Sequence, residues 1–449
     1  MRPQNQDDKP IYVAHIDANS AYVSWSATEA LRLGGDLDFR TIPSVVGGDP
    51  ETRHGIVLAK SIPAKKFGIK TAELIWQAVQ KCPHLMIIKP DAELYTRCSA
   101  AMVALVRQYS DRVYVYSIDE LFIDLTGMQR LFGDPKELCD TIRNRIRDEL
   151  GFTVSIGLSS NFLLAKMGSD MKKPDATTTL FPDEIEEKMW PLPVEDLFYC
   201  GPASTMKLNA LGIKTIGQLA RMEPRTLESH MKSHGRLLWD YANGRADGIM
   251  TAFKAALQQK GVGNSSTIWY DVTDRRDASL HILSLCESVA LRLRGSSLAG
   301  KVVEVSIRYA NSDYTHLGYG GQSHQRKLNR AVSNCYEIYN VAMQLLDEIW
   351  DGSVPLRNFG VRVSQCADDT ETQLSLFERE RKQHLLDRAT DAIRERYGKT
   401  ALTRATFLHT GVSPITGVGL SDKEYVLPVF SNGADERKLL EANVKHLPQ

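Results

Sequence analysis

The order of apolar strands and amphipathic helices in the first third of this 449-residue chain constrains its fold more than any other feature. Residues 11–16 read as a buried strand that runs straight into Asp17, and residues 20–33 as a helix stopped by Gly34-Gly35. Val45-Val46 and residues 56–59 are short strands, followed by a helix over 72–81 that Pro83 ends. Residues 91–109 carry Leu94, Cys98, Met102, Leu105 and Val106 on one helical stripe. Residues 113–116 and 121–125 pair as a hairpin, 134–150 form a helix, and 153–158 form a last strand. With residues 18–90 set aside as an insertion, the order is β-α-β-β-α-β.

That order is ferredoxin-like and has a geometric consequence. The first and second strands run parallel, and the third lies antiparallel between them. The turn joining the second and third strands then sits beside the C-terminal end of the first. Asp17 ends the first strand, and Asp119-Glu120 occupy that turn. Three carboxylates far apart in sequence are therefore expected at one edge of the sheet. Carboxylates at a tight strand connection suit Mg²⁺ held against phosphate, because hard cations prefer oxygen ligands. Taken alone, Asp119-Glu120 also reads as a solvated hairpin turn.

The chain is too long for one hydrophobic core and should hold about three domains. Lysine plus arginine equals aspartate plus glutamate at 55 each, so any basic surface must be a local patch. The seven cysteines are scattered without a CxxC pair, as expected of reduced thiols in a cytosolic protein. The polar N-terminus does not read as a signal peptide, and no apolar run is long enough to cross a membrane. These features point to a cytoplasmic protein.

Helical patterning takes over from Pro174. Residues 197–219 read as a helix-hairpin-helix around Gly201, Lys207 and Gly212, whose helix N-terminus can take a DNA phosphate. A plain helical connector has the same glycine at its C-cap. Residues 245–266 look like a linker. A smaller α/β unit follows: helix 278–294, strand 302–309, a glycine-rich hairpin near 318–321, helix 331–350 and strand 357–364. Arg308, Arg326, Lys327 and Arg330 alternate with polar residues there, as on a sheet face lying along a phosphate backbone. A solvated edge strand reads the same way. Gln373-Leu374-Ser375-Leu376-Phe377, in an acidic polar stretch, reads as a docking peptide. It can equally begin the helix expected over 379–396, since Leu376, Leu385 and Leu386 share a stripe.

Taken together, the chain resembles a Y-family translesion DNA polymerase. In detail it is similar to the UmuC-type, UvrX-like branch of Gram-positive bacteria, and also to DinB polymerases. The resemblance rests on residues 117–120, on the block 55–70, and on Ser155-Ile156-Gly157 running to Lys172-Lys173-Pro174. It implies an α+β, multidomain right hand. The palm would span 1–19 and 91–180, the fingers 20–90, and the thumb 181–244. After the linker come a little finger, 267–366, and a tail, 367–449.

The resemblance further implies that Asp17, Asp119 and Glu120 are the catalytic ligands of two Mg²⁺ ions. Lys173 and Lys65 match triphosphate-binding positions, and Tyr22 matches the steric gate against ribonucleotides. Gly201, Lys207, Gly212, Arg308, Arg326 and Lys327 would contact DNA. Gln373, Leu374, Leu376 and Phe377 would bind the sliding clamp. The implied partners are primer-template DNA, dNTPs and the clamp, with recombinase or SOS accessory proteins as further candidates. The implied setting is DNA repair at the bacterial nucleoid. Two departures stand out: Ile62 replaces a tyrosine of many relatives, and Tyr199 replaces the first glycine of the hairpin. A non-catalytic scaffold that binds DNA and the clamp, and a nucleotide cyclase, are the rival readings.

Overall fold

The structure, a computed structural model, describes residues 10–48, 55–245, 261–310, 320–369, 378–398 and 400–415. The described residues fall into two compact units, the first holding 10–48 and 56–245 and the second the residues from 261 to 415.

In the first unit, β1 (Val13–Ala18) leads through α1 (Ala21–Arg32) into an insertion of β2 (Ser44–Gly47), β3 (Val57–Lys60), α2 (Ile62–Lys66), α3 (Ile75–Lys81) and β4 (Met86–Ile88). α4 (Ala92–Val106) returns the chain to β5 (Val113–Val115) and β6 (Glu120–Asp124). α5 (Gln129–Phe132) and α6 (Pro135–Leu150) follow, then β7 (Val154–Ser159), α7 (Phe162–Met171) and β8 (Thr177–Thr179).

The main sheet has the order β5-β6-β1-β7-β8, with β6 and β7 both antiparallel to β1. The third strand of the β-α-β-β-α-β series thus lies between the first and second, as the sequence pattern requires. β8 extends the sheet parallel to β7 and was not foreseen. The insertion forms its own three-stranded sheet, with β2 between antiparallel β3 and parallel β4. β4 was not foreseen either.

Local chemistry sets the helix ends. The Asp91 carboxylate accepts from the Leu94 amide, and Asp134 accepts from the amides of Lys136 and Glu137. α6 ends at Gly151 with φ 76°, where a side chain would be strained. The helix expected over 72–81 begins only at Ile75, because Ala72 turns with φ 68° and Leu74 bridges to Ile56 in extended form.

α7 lies directly on β1 and β7. A Cβ at Gly157 would stand 2.0 Å from the Ala165 carbonyl oxygen, so only glycine admits the helix at this depth. The opposite face of α7 supplies Leu163, Leu164 and Met167 to a helical core. That core is completed by α8 (Pro202–Ala210), α9 (Ile216–Ala220), α10 (Pro224–Met231) and α11 (Ser233–Ala242). Gly201 caps α8, Gly212 turns with φ 80°, and Thr215 with Gln218 forms a capping box on α9.

The second unit is a four-stranded antiparallel sheet of order β11-β10-β12-β9. Its strands are β9 (Gly261–Val272), β10 (Leu298–Tyr309), β11 (Gly321–Val332) and β12 (Leu356–Asp368). α12 (Arg275–Gly295) and α13 (Cys335–Ile349) cover one face, packing Ile282, Leu285, Val289 and Leu346 on Val303, Val305, Phe359 and Val361. Part of the expected linker is therefore the start of β9. The helix expected over 331–350 begins at Cys335, capped by Asn334, because β11 runs on to Val332.

α14 (Glu378–Tyr397) and the turns after it fold back onto α12. Buried Glu287 pairs with Arg394 Nη1 at 2.9 Å and with Arg404 Nε at 2.5 Å. Arg294 Nε reaches Asp391 at 2.6 Å, and Phe407 and Val412 are buried. Burial opposes ionisation of Glu287, but the two arginines outweigh it and hold the carboxyl below its ordinary value. Among the described residues no helix is long and apolar enough to cross a membrane. The molecule has the α+β multidomain class expected.

Candidate active site

Asp17 and Glu120 are register partners on β1 and β6, and the Ala18 amide donates to the Asp119 carbonyl at 2.9 Å. Residues two apart on a strand share a face, so His15 lines up with Asp17, and Phe122 with Glu120. α7 and the turn after it bring two ammonium groups to this face. Lys166 Nζ lies 3.0 Å from Glu120 Oε1 and 3.4 Å from Asp17 Oδ2. Lys173 Nζ lies 2.9 Å from Asp17 Oδ1. Asp170 accepts from both lysines, at 3.3 and 2.9 Å.

Burial dominates the electrostatics. It pushes Asp17 up to about 6 against the pull of Lys173 and Lys166. Glu120 is also desolvated, yet the His15 ring 3.4 Å away and the charge of Lys166 carry its carboxyl well below the ordinary range. Lys166 gains more from Glu120, Asp170 and Asp17 than burial takes from it, so its ammonium is held firmly. Burial pushes His15 down to about 4, leaving a neutral ring at pH 7. His15 Nδ1 lies 2.8 Å from Ser169 Oγ, and the ring packs on Phe122 at 4.5 Å.

The Asp119 carboxylate accepts from Ser117 Oγ at 2.5 Å. Among the described residues no three Asp, Glu, His or Cys side chains stand together as an ion-holding group. The sequence-based expectation of a converged trio is thus met by the strand ends but not by the side chains. Lys166 lies between Asp17 and Glu120, and Asp119 is turned to Ser117.

Tyr22 stands in the first turn of α1, half-buried and stacked on Tyr95 at 4.4 Å and 14°. The Tyr95 hydroxyl lies 3.1 Å from Ser26 Oγ. Burial, then Asp119, then Tyr95 push the Tyr22 phenol above its ordinary value, so Tyr22 feels the acidic strand end. The turn between β1 and α1 is fixed by Asn19, which donates to Ser155 Oγ at 2.9 Å and accepts from the Asp175 amide at 3.0 Å.

The other expected residues of the first unit stand on other elements. Lys65 is exposed on α2, close enough to Lys60 to lower the Lys60 ammonium after burial has done so. Gly201 and Lys207 are exposed at α8, and Gly212 forms the turn before α9. Tyr199, where a glycine was expected, takes φ 69° and packs on Phe198 and Tyr241.

In the second unit, strand register divides the basic residues. Arg308 and Lys327 lie on the open face with Arg362, whereas Arg326 pairs with Val303 on the helix-covered face. Arg326 accordingly bonds Gln344 and Glu348 of α13. Gln373, Leu374, Leu376 and Phe377 lie outside the described residues.

Sequence reasoning missed His15, Lys166, Ser169, Asp170 and Arg362. A signal for two of them exists: Lys166, Asp170 and Lys173 recur at the i, i+4, i+7 spacing of one helix face.

Comparison with known proteins places this geometry in a family. Residues 16–170 match the impB/mucB/samB family, and residues 259–376 match the C-terminal domain of the same family. DNA polymerase IV of Clostridium acetobutylicum is 40% identical over 398 residues, covering 88% of this chain and 98% of the relative. DNA polymerase IV of Acetivibrio thermocellus is 37% identical, covering 88% and 97%, and DNA polymerase IV 2 of Bacillus subtilis is 34% identical, covering 88% and 93%.

Among solved structures, a Y-family DNA polymerase chimera based on Dbh superposes with a TM-score of 0.64 at 20% identity. An insertion ternary complex of Dbh DNA polymerase gives 0.51 at 21%. Each match covers 79% of this chain and 98% of the other, and at that identity the likeness is one of fold. These comparisons support the Y family as a whole rather than its UmuC-type branch. The chain belongs to the impB/mucB/samB family and, with it, to the Y-family translesion DNA polymerases.

Proposed function

We propose that this protein is a template-directed DNA polymerase of the translesion type, adding dNTPs to a primer 3′ end, and that the β1–β6 strand ends are its reaction centre. The observation that carries the reading is the pairing of Asp17 with Glu120 beside Asp119, faced by two lysines, in a chain that aligns along most of its length with DNA polymerase IV. The scaffold alternative is not favoured, because all three acids are present at the paired strand ends. In this reading the five-stranded sheet is the palm and the three-stranded sheet the fingers. The helices from α8 to α11 are the thumb, and the second unit is the little finger.

The donor set fits divalent metal. Asp17, Asp119 and Glu120 offer only hard oxygen ligands, and the desolvated Asp17 carboxylate gains from a cation. These three residues would hold Mg²⁺, two ions in the fullest form of the reading, which would lower the pKa of the primer hydroxyl and neutralise triphosphate charge. The chain's own groups do the rest by alignment and charge. Lys173, 36% exposed at its side chain, can leave Asp17 for a phosphate oxygen, while Lys166, 10% exposed, stays with the acids. Lys65 and Lys60 add positive charge from the fingers. Tyr22, braced by Tyr95, is placed to exclude a 2′-hydroxyl.

Primer extension by the purified chain tests the reading. We expect dNTP addition that depends on divalent metal and is lost in Asp119→Asn; extension equal in the two proteins would remove the assignment. Tyr22→Ala should admit ribonucleotides while keeping most dNTP addition, and unchanged sugar discrimination would place the gate elsewhere.

On DNA, the open face of the second unit is the proposed phosphate-binding surface. Lys327→Ala and Arg308→Ala should each flatten the salt dependence of DNA binding by about one charge. Arg326→Ala should leave that slope alone and lower the melting temperature; the reverse pattern would reject the face assignment. Residues 373–377 are proposed as the clamp peptide, raising local concentration at the primer end. Deleting them should abolish stimulation by a bacterial sliding clamp and spare clamp-free synthesis.

A further inference from the structure

Glu120 is gripped from two sides. Its Oε1 faces Lys166 Nζ at 3.0 Å, and its Oε2 faces His15 Nε2 at 3.4 Å. His15 has no exposed surface, and among the described residues its Nε2 makes no hydrogen bond, Glu120 Oε2 standing at ion-pair distance. A buried ring nitrogen left without a partner is costly, and this carboxylate is an acceptor near enough to serve it after a small adjustment. A carboxylate accepts and cannot donate, so the proton belongs on Nε2. Nδ1 then accepts from Ser169 Oγ, 2.8 Å away. Ser169 Oγ is also 2.8 Å from the Lys166 carbonyl, and its single proton serves one of them at a time. The ring itself is fixed by Phe122 at 4.5 Å and lies in register with Gly157, where α7 presses on the sheet.

We infer that His15 is a positioning residue: held by Ser169, it directs Nε2–H at Glu120 and fixes the orientation of that carboxylate toward a divalent cation. The inference rests on the reading of Glu120 as a metal-holding group. It adds a relay, Ser169–His15–Glu120, that runs from the helix through the sheet to the reaction centre. Groups that orient a ligand in this way contribute to metal affinity without touching the ion.

The test is Mn²⁺ binding, followed by EPR, to the full chain with a dideoxy-terminated primer-template and the next nucleotide. His15→Leu keeps the bulk and loses the donor, and should weaken binding roughly tenfold. His15→Gln, which restores an N–H donor, should recover most of that loss. Ser169→Ala, which leaves the ring's packing intact, should shift binding in the same direction and keeps the test usable if His15→Leu does not fold. In a double-mutant cycle, His15→Leu should add nothing to Glu120→Gln. Unchanged binding in His15→Leu and Ser169→Ala, or a His15→Leu loss that adds in full to that of Glu120→Gln, would overturn the relay. Unchanged binding in Glu120→Gln alone would overturn the metal reading beneath it, which distinguishes the two failures.

Discussion

The seat of α7 on the sheet is the contact on which the reaction centre depends. At Gly157 the helix backbone comes so near that a methyl group would collide with the Ala165 carbonyl. That depth brings Lys166 and Ser169 within bonding distance of β1 and β6. A helix resting on side chains, at the usual spacing, would leave the lysines short of the acids and His15 without Ser169. One missing Cβ thus fixes the relation between the helix and the strands, while Leu163, Leu164 and Met167 on the outer face tie the same helix into the core of α8 to α11.

Charge balance follows from this seat. Asp17, Glu120 and Asp170 meet two ammonium groups, with Asp119 nearby on the same strand end, so acid outnumbers base in a place poorly served by water. An excess of oxygen donors over fixed cations favours a mobile cation. The two lysines are not equivalent. Lys166 is sealed in and serves the acids, whereas Lys173 is partly open and can serve a ligand. Arginine in either place would offer a broad fork where a compact point charge fits.

Much of this was legible because strands buried on both sides announce themselves. β1 is buried at every position, and its order with β5, β6 and β7 fixed the sheet before any coordinate. β4 and β8 escaped because each is three residues long and pairs in parallel, without the hairpin that announces the equally short β5. β9 escaped for a different reason. Its inward positions include Asn264, satisfied by Ser288 at 3.2 Å, and Gly263 lies close against Arg362, where a Cβ would stand 3.0 Å from the arginine side chain. The polar stripe therefore imitated a linker. Arg326 was assigned to the wrong face because register is invisible in one strand alone, and the irregularity between Gly300 and Val302 sets it. The acids were read from their strand ends, but Lys166, which holds them, sits on a helix 46 residues beyond Glu120 and 149 beyond Asp17, and only packing brings them together.

The desolvation of Asp17 has a cost for the molecule as a whole. In an extended chain this carboxyl ionises near 3.8, and in the folded one near 6. Across that interval the unfolded chain has shed its proton while the native one keeps it, so native stability falls as pH rises through the window and stays reduced above it. At neutral pH the fold therefore carries a penalty at the residue most central to its proposed chemistry. An aspartate that weakens the fold at neutral pH is accounted for by use rather than by architecture.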